Sequence, residues 1–458
     1  MAVAKVSEYT AAQAIKMIVS AANHMSDEGV DAWLGMLEKL APSAFARKQV
    51  SAVRRHWNGE TPGSYALFRR VLREVDPDIQ KRLAVNLVVE HHWKGSSKRS
   101  ALRAEGIVVP FTLLISPTMR CNLRCAGCYA GEYSQADDLS PKRMDTLLRE
   151  AKNLGIHLFV ILGGEPFVYA PLLDLMEAHA DAAFMVFTNG TLITPRVADR
   201  LHKLGNVVPL FSIDGFEEQT DLRRGQGTFS RMMAAMDALR ERKVPFGFSV
   251  MVTRDNAELV VSDEFNDMLL AKGCLLGWHF LYMPVGRAPD PAMMPTPQQR
   301  ELLRTHGAAR IRTTKPLFVA DFWNDAPWVG GCIAGARQYA HINSRGDVEP
   351  CIFCHFATDN INEKSLLECL TSDFFRGIQK SEPHNRNLLR PCMMIDNPEV
   401  FRRLHEQYRP YPTHPSAEEL VGSLVPVLDE YAKETAKIMD TVWREEFEAK
   451  GFEVPIGW

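Results

Sequence analysis

No window of eighteen or more uncharged apolar residues occurs in this 458-residue chain, which excludes a hydrophobic membrane-spanning helix. A dominant charge is lacking too. The 53 Lys and Arg against 56 Asp and Glu leave a formal net charge of −3, too weak a positive field for a surface built to hold nucleic acid. There is no solenoid-type repeat and no low-complexity stretch. The N-terminal stretch contains Glu8 and shows no signal-peptide core, so a cytoplasmic location is expected. Disulfides are rare in a reducing compartment, and nine cysteines, an odd number, point to metal ligands instead.

An apolar content of 46% over this length supports a barrel-sized domain with one or two smaller ones. The charge is uneven locally. Between Arg47 and Arg103, thirteen Lys or Arg face five Asp or Glu, a basic island of about +8; it reads either as solvated helix faces or as a docking surface for an anionic substrate, partner or membrane. Apolar residues in this region recur at three- and four-residue spacings, which predicts helices over residues 1–109. From residue 110 the texture changes to short β-branched runs alternating with amphipathic helices, the pattern of a parallel sheet. Six strand candidates begin at Phe111, Leu158, Phe184, Val207, Phe246 and Leu276. Ser140–Pro141 and Thr194–Pro195 have the form of helix starts, and Gly155 and Gly205 of helix stops. The expected fold is therefore α/β: a partial (βα)6 TIM-like barrel over 110–290, a helical connection over 291–330, a small cysteine-bearing domain over 331–398 and a C-terminal helical segment over 399–458.

Unusual residues cluster just beyond the C-terminal ends of these strands, the rim where βα barrels bind ligands. The first strand leads into "CNLRCAGC", holding Cys121, Cys125 and Cys128; the second into "GGEP", Gly163 to Pro166; the third into "TNGT" around Asn189; the fourth into "SIDG", with Ser212 and Asp214; the sixth into "PVGR", Pro284 to Arg287. Three cysteines are one short of the usual four-ligand set. If they hold three irons of a [4Fe-4S] cluster, the fourth iron keeps an open position for a substrate or cofactor.

The Cys-x3-Cys-x2-Cys spacing after a strand, followed by Tyr129, closely resembles the signature of the radical S-adenosylmethionine (radical SAM) superfamily. The likeness spans roughly residues 110–290 and implies a catalytic 4Fe-4S cluster on Cys121, Cys125 and Cys128, with S-adenosyl-L-methionine at its open iron. It further implies that main-chain groups of Gly163, Gly164, Glu165 and Pro166 receive the SAM amino group. Tyr129 and Asn189 join the SAM-binding rim, with Ser212 and Asp214 as polar partners for the ribose or methionine moiety. Arg223 or Arg224 is placed to pair with the SAM carboxylate; Asn256 and "PVGR" are further candidates for adenosine contacts. Reductive cleavage would yield a 5'-deoxyadenosyl radical that abstracts a hydrogen atom from the substrate.

Downstream, Cys332, Cys351, Cys354 and Cys392 form a closed set of four, and the turn at "SRGD" aims Cys351 and Cys354 at one point. This region resembles the SPASM and shorter twitch auxiliary-cluster domains. A full SPASM domain needs about seven cysteines, so the resemblance implies one auxiliary 4Fe-4S cluster; a zinc ribbon is the structural alternative. His341 and His355 are set aside as ligands, and Cys274 and Cys369 read as buried apolar residues. The expectation is an oxidoreductase-type enzyme acting on a small-molecule substrate, fed by an external one-electron reductant such as flavodoxin or ferredoxin, with no nucleic-acid partner. The alternatives are the same chemistry on a ribosomal peptide or a membrane lipid, which would bring peripheral membrane contact, or a non-catalytic zinc-binding module.

Overall fold

The computed structural model describes residues 12–454, apart from 14, 18, 23, 41–46, 48–49, 52–53, 56, 60–61, 132–136 and 336. Its centre is a curled nine-stranded sheet. The strands are β1 (Thr112–Ile115), β2 (Leu158–Ile161), β3 (Ala183–Thr188), β4 (Val207–Ser212), β5 (Gly247–Val252), β6 (Leu276–Leu281), β7 (Phe318–Asp321), β8 (Tyr339–Ile342) and β9 (Val348–Glu349). They lie in the order β7-β6-β5-β4-β3-β2-β1-β8-β9. All neighbours are parallel except the β8–β9 hairpin. A two-stranded pair, β10 (Phe356–Ala357) with β11 (Tyr411–Pro412), stands apart.

Alternation along each strand builds two surfaces. Leu113, Ile115, Phe159, Ile161, Phe184, Val186, Phe248 and Val250 are fully buried against the covering helices. Thr112, Leu114, Val160, Phe187, Ser249 and Met251 face the barrel interior. Helix ends follow local chemistry: Ser140 accepts from the backbone N–H of Arg143 (3.2 Å) at the start of Pro141–Asn153, and Thr194 accepts from Val197 (3.3 Å) at the start of Pro195–Leu204. Gly205 ends the latter in a left-handed conformation.

Two expectations change. Residues 291–330 are more than a helical connection: after the helices Pro297–His306 and Ala308–Thr314 the chain adds β7, which pairs in parallel with β6. The four residues of β7 are too few to show a period in sequence. On the opposite side β8 pairs in parallel with β1, Thr112 facing Tyr339 and Ile115 facing Ile342. The cysteine-bearing region thus contributes its first strand to the barrel sheet.

The N-terminal region is helical as expected, with Asp27–Leu40, Pro62–Glu74, Pro77–Ala84, Val85–Lys94 and Gly95–Ala104; the first expected helix, at 11–25, falls partly outside the described residues. Much of the basic island is used internally. Arg70 donates to the carbonyls of Cys274 (3.0 Å) and Pro316 (2.9 Å), Arg82 to Leu204 (2.7 Å), and Arg99 to Gly155. Asn86 donates to Ala180 (3.0 Å) and Ala182 (2.8 Å). These carbonyls lie just before strands, so the helices close the N-terminal end of the barrel. Arg82 also meets the negative end of the helix Pro195–Leu204.

Candidate active site

The interior holds a cavity of about 200 Å³. Cys121, Cys125, Cys128, Tyr129, Gly163, Gly164, Asn189, Ser212, Arg223 and Arg224 all line it, on the rim side of β1 to β4. The loop bearing the three cysteines is gripped by its neighbours. Gly164 N–H donates to the Thr118 carbonyl (3.1 Å) and Glu165 N–H to that of Arg120 (2.9 Å). A Cβ on Gly163 would lie 2.3 Å from the Thr118 oxygen, and one on Gly164 2.2 Å from the Arg120 oxygen. The sequence reading assigned these glycines to close approach of a ligand; the structure shows that they also admit the backbone of the cysteine loop.

Glu165 and Pro166 sit behind the cavity wall. The Glu165 carboxylate accepts from Thr188 Oγ1 (2.8 Å), Asn189 N–H (2.8 Å) and Phe167 N–H (3.1 Å), tying the loop after β2 to the loop after β3. Burial pushes its carboxyl up to about 7, against the pull of those three donors. Asn189 in turn reaches Asn122 Oδ1 (2.9 Å) and lies 3.8 Å from Cys121 Sγ.

Asp214 also departs from its expected contact with the ligand. It is absent from the cavity lining and accepts from Arg223 Nη1 (3.0 Å to each oxygen) and Arg224 Nε (2.6 Å). Burial opposes its ionisation, but the two guanidiniums outweigh that and hold its carboxyl below the ordinary range. Two cations on one anion leave about one positive charge at the cavity wall. Arg223 additionally grips the cysteine loop, its Nε donating to the Ala126 carbonyl (3.1 Å) while its own carbonyl accepts from Ala126 N–H (3.1 Å). Asn256 turns inward, capping Thr253 N–H (2.7 Å) and donating to the Asp214 carbonyl (3.0 Å).

Sequence reasoning missed the clamp on the far side of the loop. The Cys128 carbonyl accepts from Arg287 N–H (2.9 Å), and Arg287 Nη1 reaches the Cys125 carbonyl (3.3 Å). Gly286, at φ +87°, packs so that a Cβ would meet the Cys128 oxygen at 2.3 Å. Ser416, from the C-terminal segment, accepts the Gly286 N–H (2.9 Å), and His414 Nε2 donates to the Gly131 carbonyl (2.5 Å). A polar residue some 130 positions away in sequence gives no local signal.

The second cysteine set lies beneath the same cavity. Tyr339, Ile333, Ile352 and Phe353 line the cavity, and Tyr339 Oη lies 3.2 Å from Cys351 Sγ. Asp396 accepts the Cys392 N–H (3.1 Å) and is itself paired with the buried Arg300. Cys332 is within electrostatic reach of Cys351 and Cys392, and Cys354 of the same two. His341 and His355 are engaged elsewhere: His341 bridges Glu349 Oε2 (2.5 Å) and Ser116 Oγ (2.7 Å), and His355 Nε2 donates to the Tyr129 carbonyl (3.1 Å). Cys274 and Cys369 are fully buried in apolar surroundings, as expected.

The donor chemistry fits metal clusters. Burial pushes Cys121 up to about 11 and Cys392 to about 12, and raises Cys128, Cys332, Cys351 and Cys354 as well. Cys121 itself is exposed, Cys128 and Cys332 are half-buried, and Cys125, Cys351, Cys354 and Cys392 are buried; a bound cation takes the place of the protons on such thiols.

Comparison with known proteins agrees with this geometry. Residues 115–262 match the family model for the radical SAM superfamily, and residues 332–394 match that of SPASM, an iron-sulfur cluster-binding domain. The chain is a radical SAM enzyme with a SPASM-type C-terminal domain. Its cofactors are accordingly a 4Fe-4S cluster and S-adenosylmethionine, with auxiliary iron-sulfur binding in the C-terminal region. It is 26% identical over 294 residues to the AdoMet-dependent heme synthase of Methanosarcina barkeri, covering 58% of this chain and 83% of that one. It is 29% identical over 318 residues to the mycofactocin maturase MftC of Mycolicibacterium smegmatis, covering 66% and 74%. Among solved structures, Streptococcus suis SuiB bound to S-adenosylmethionine shares the fold, with a TM-score of 0.55 at 21% identity over 69% of this chain and 78% of SuiB. Among the described residues no helix is long and apolar enough to cross a membrane.

Proposed function

We propose that this chain cleaves S-adenosylmethionine reductively at a four-iron cluster held by Cys121, Cys125 and Cys128, and abstracts a hydrogen atom from a small-molecule substrate inside the barrel. Cys332, Cys351, Cys354 and Cys392 hold one auxiliary four-iron cluster that assists oxidation or bond formation, and an external one-electron reductant of the flavodoxin or ferredoxin class feeds the first site. One observation carries the reading: a single cavity is bordered on one side by the three-cysteine loop and on the other by Tyr339, Ile352 and Phe353, which flank or touch the second set.

When bound, the cluster and S-adenosylmethionine supply one-electron cleavage to a 5'-deoxyadenosyl radical. The chain's own residues hold and shield. Main-chain groups of Gly163 and Gly164 face the cavity for the ligand's amino group, the net positive charge of Arg223 and Arg224 meets its carboxylate, and Asn189, Ser212 and Tyr129 complete the polar rim. The apolar remainder of the wall keeps out water and stray hydrogen donors.

One feature favours a small molecule. Among the described residues before β1 there are helices and no strand, which leaves no strand-bearing peptide-recognition module of the winged-helix kind. The cavity of about 200 Å³ is below the usual range for drug-sized ligands and admits only the reacting end of a substrate, whether free or part of a larger molecule. A wider groove, about 790 Å³, lies on the outer helices; of its four Lys and Arg, three are paired, Lys94 with Glu90, Arg149 with Asp145 and Lys152 with Asp181, and Lys98 stands outside those pairs. That pairing favours a solvated seam over a lipid-binding face.

The test is iron, sulfide and zinc per chain after anaerobic reconstitution, together with dithionite-driven formation of 5'-deoxyadenosine. About eight irons are expected. Replacing Cys121, Cys125 and Cys128 together by Ser leaves about four and abolishes 5'-deoxyadenosine. Zinc in place of iron at both sets overturns the reading.

A further inference from the structure

The half of the cavity away from the polar rim is built from rings. Phe187 comes from β3, Trp278 and Phe280 from β6, Phe322 from the end of β7, Tyr339 from β8 and Phe353 from the turn between Cys351 and Cys354. Barrel interiors are ordinarily filled by branched aliphatic side chains, and Val, Ile or Leu would fill this space equally well. The rings instead interlock. Trp278 and Phe280 lie near-parallel (10°, centroids 6.0 Å apart), and Phe322 approaches both at 5.0 Å with tilts of 56° and 54°. Phe187 meets the same pair edge-on at 6.2 Å and 5.8 Å, and Phe353 meets Phe280 at 6.4 Å and 72°.

Charge narrows the occupant further. Among the described residues that line the cavity the only charged side chains are Arg223 and Arg224, both on the opposite side and both held by Asp214. No carboxylate is present to neutralise a cationic substrate. The ring wall has no counter-charge for an anionic one either, and the Tyr339 hydroxyl is turned away towards Cys351. Among the described residues Trp278 Nε1 is buried without a hydrogen-bond partner, a donor for one acceptor atom of a guest; beyond that donor and bulk the wall recognises ring geometry, because an aromatic guest gains edge-to-face contact that an aliphatic guest of the same area does not.

We propose that the reacting end of the substrate carries an uncharged aromatic ring, received edge-to-face among Phe187, Trp278, Phe280 and Phe322. This rests on the reading of the cavity as the substrate chamber of a radical SAM enzyme. The assignment holds equally for a free small molecule and for an aromatic side chain.

The experiment titrates the reconstituted, S-adenosylmethionine-bound enzyme with N-acetyl-phenylalanine amide, with its cyclohexyl counterpart N-acetyl-cyclohexylalanine amide, and with tetramethylammonium, reading binding by calorimetry. The phenyl probe is expected to bind about two- to tenfold more tightly than the cyclohexyl probe. Phe322→Leu should bring that ratio close to one, and Phe187→Leu, as an independent variant should the first fail to fold, should lower it in the same direction. Equal or inverted binding of the two probes, no binding of either, tighter binding of tetramethylammonium, or a ratio unchanged in both variants overturns the assignment. Substrate-free 5'-deoxyadenosine formation is measured in parallel. Its absence overturns the reading of the site itself, whereas its presence with equal probe binding overturns only the aromatic assignment.

Discussion

Asp214 shows how a single buried side chain acts through its neighbours. It is the shared anion of Arg223 and Arg224, and Arg223 holds the cysteine loop at Ala126. Asp214→Asn leaves two partly buried guanidiniums without their buried counter-charge, and a loss of about 3 kcal/mol is expected in denaturant unfolding. Its carboxyl is depressed in the folded state, so its contribution is complete at neutral pH and lost only as acid titrates through the folded value. Glu165 behaves in the opposite sense. Its carboxyl rises from 4.5 to about 7 on folding, so the folded state binds more protons and stability declines as pH rises from about 4.5 to about 7. Thermal unfolding between pH 4.5 and 8 should show that slope, at most on the order of 3 kcal/mol in all. Glu165→Gln starts lower, having lost the Asn189 bond, but should be flat over that window. The carboxyl types were legible as rim residues in "GGEP" and "SIDG"; which way each side chain turns was not, since that depends on donors from other loops.

Among elements, the cysteine loop is the most dependent on what surrounds it. Its ligand spacing is local, but its shape is set by the "GGEP" loop on one side and the "PVGR" loop on the other. Gly286→Ala is strained by its positive φ and places a methyl 2.3 Å from the Cys128 oxygen. Reconstituted protein should then lose iron from the first site selectively, moving the count from about eight towards about four. Ser140→Ala, by contrast, removes only a cap from Pro141–Asn153 and should cost about 1 kcal/mol with full iron content. The first six strands and the capped helices were readable because their apolar runs, caps and stops are contiguous. β7 was not, being four residues long, nor was the parallel pairing of β8 with β1, which joins residues more than two hundred positions apart.

At the scale of the whole molecule the barrel and the cysteine-bearing region share a buried polar seam. Glu349 accepts from Thr413 and from Asn343 Nδ2 (3.3 Å), pairs with His341 (2.5 Å), and lies 3.6 Å from His355; His341 in turn meets Ser116 on the first strand's loop. Burial alone would raise the Glu349 carboxyl, but the two histidines bring it down to about 2. Glu349→Leu strands these partners in the core. A loss on the order of 3 kcal/mol is expected in unfolding, with faster proteolysis of the segment after Ile342 as the sign that the seam has opened. What the sequence determined by itself was the chemistry: three thiols at the spacing of a cluster loop, a second closed set of four, and the alternation of a parallel barrel, all of them short-range patterns. What only the tertiary structure decided was convergence. The closed barrel end, the clamps on the cysteine loop, the cavity lined by the first thiol set and by neighbours of the second, and its wall of rings come from contacts between distant segments, whose partners are selected when the sheet curls and buries them together.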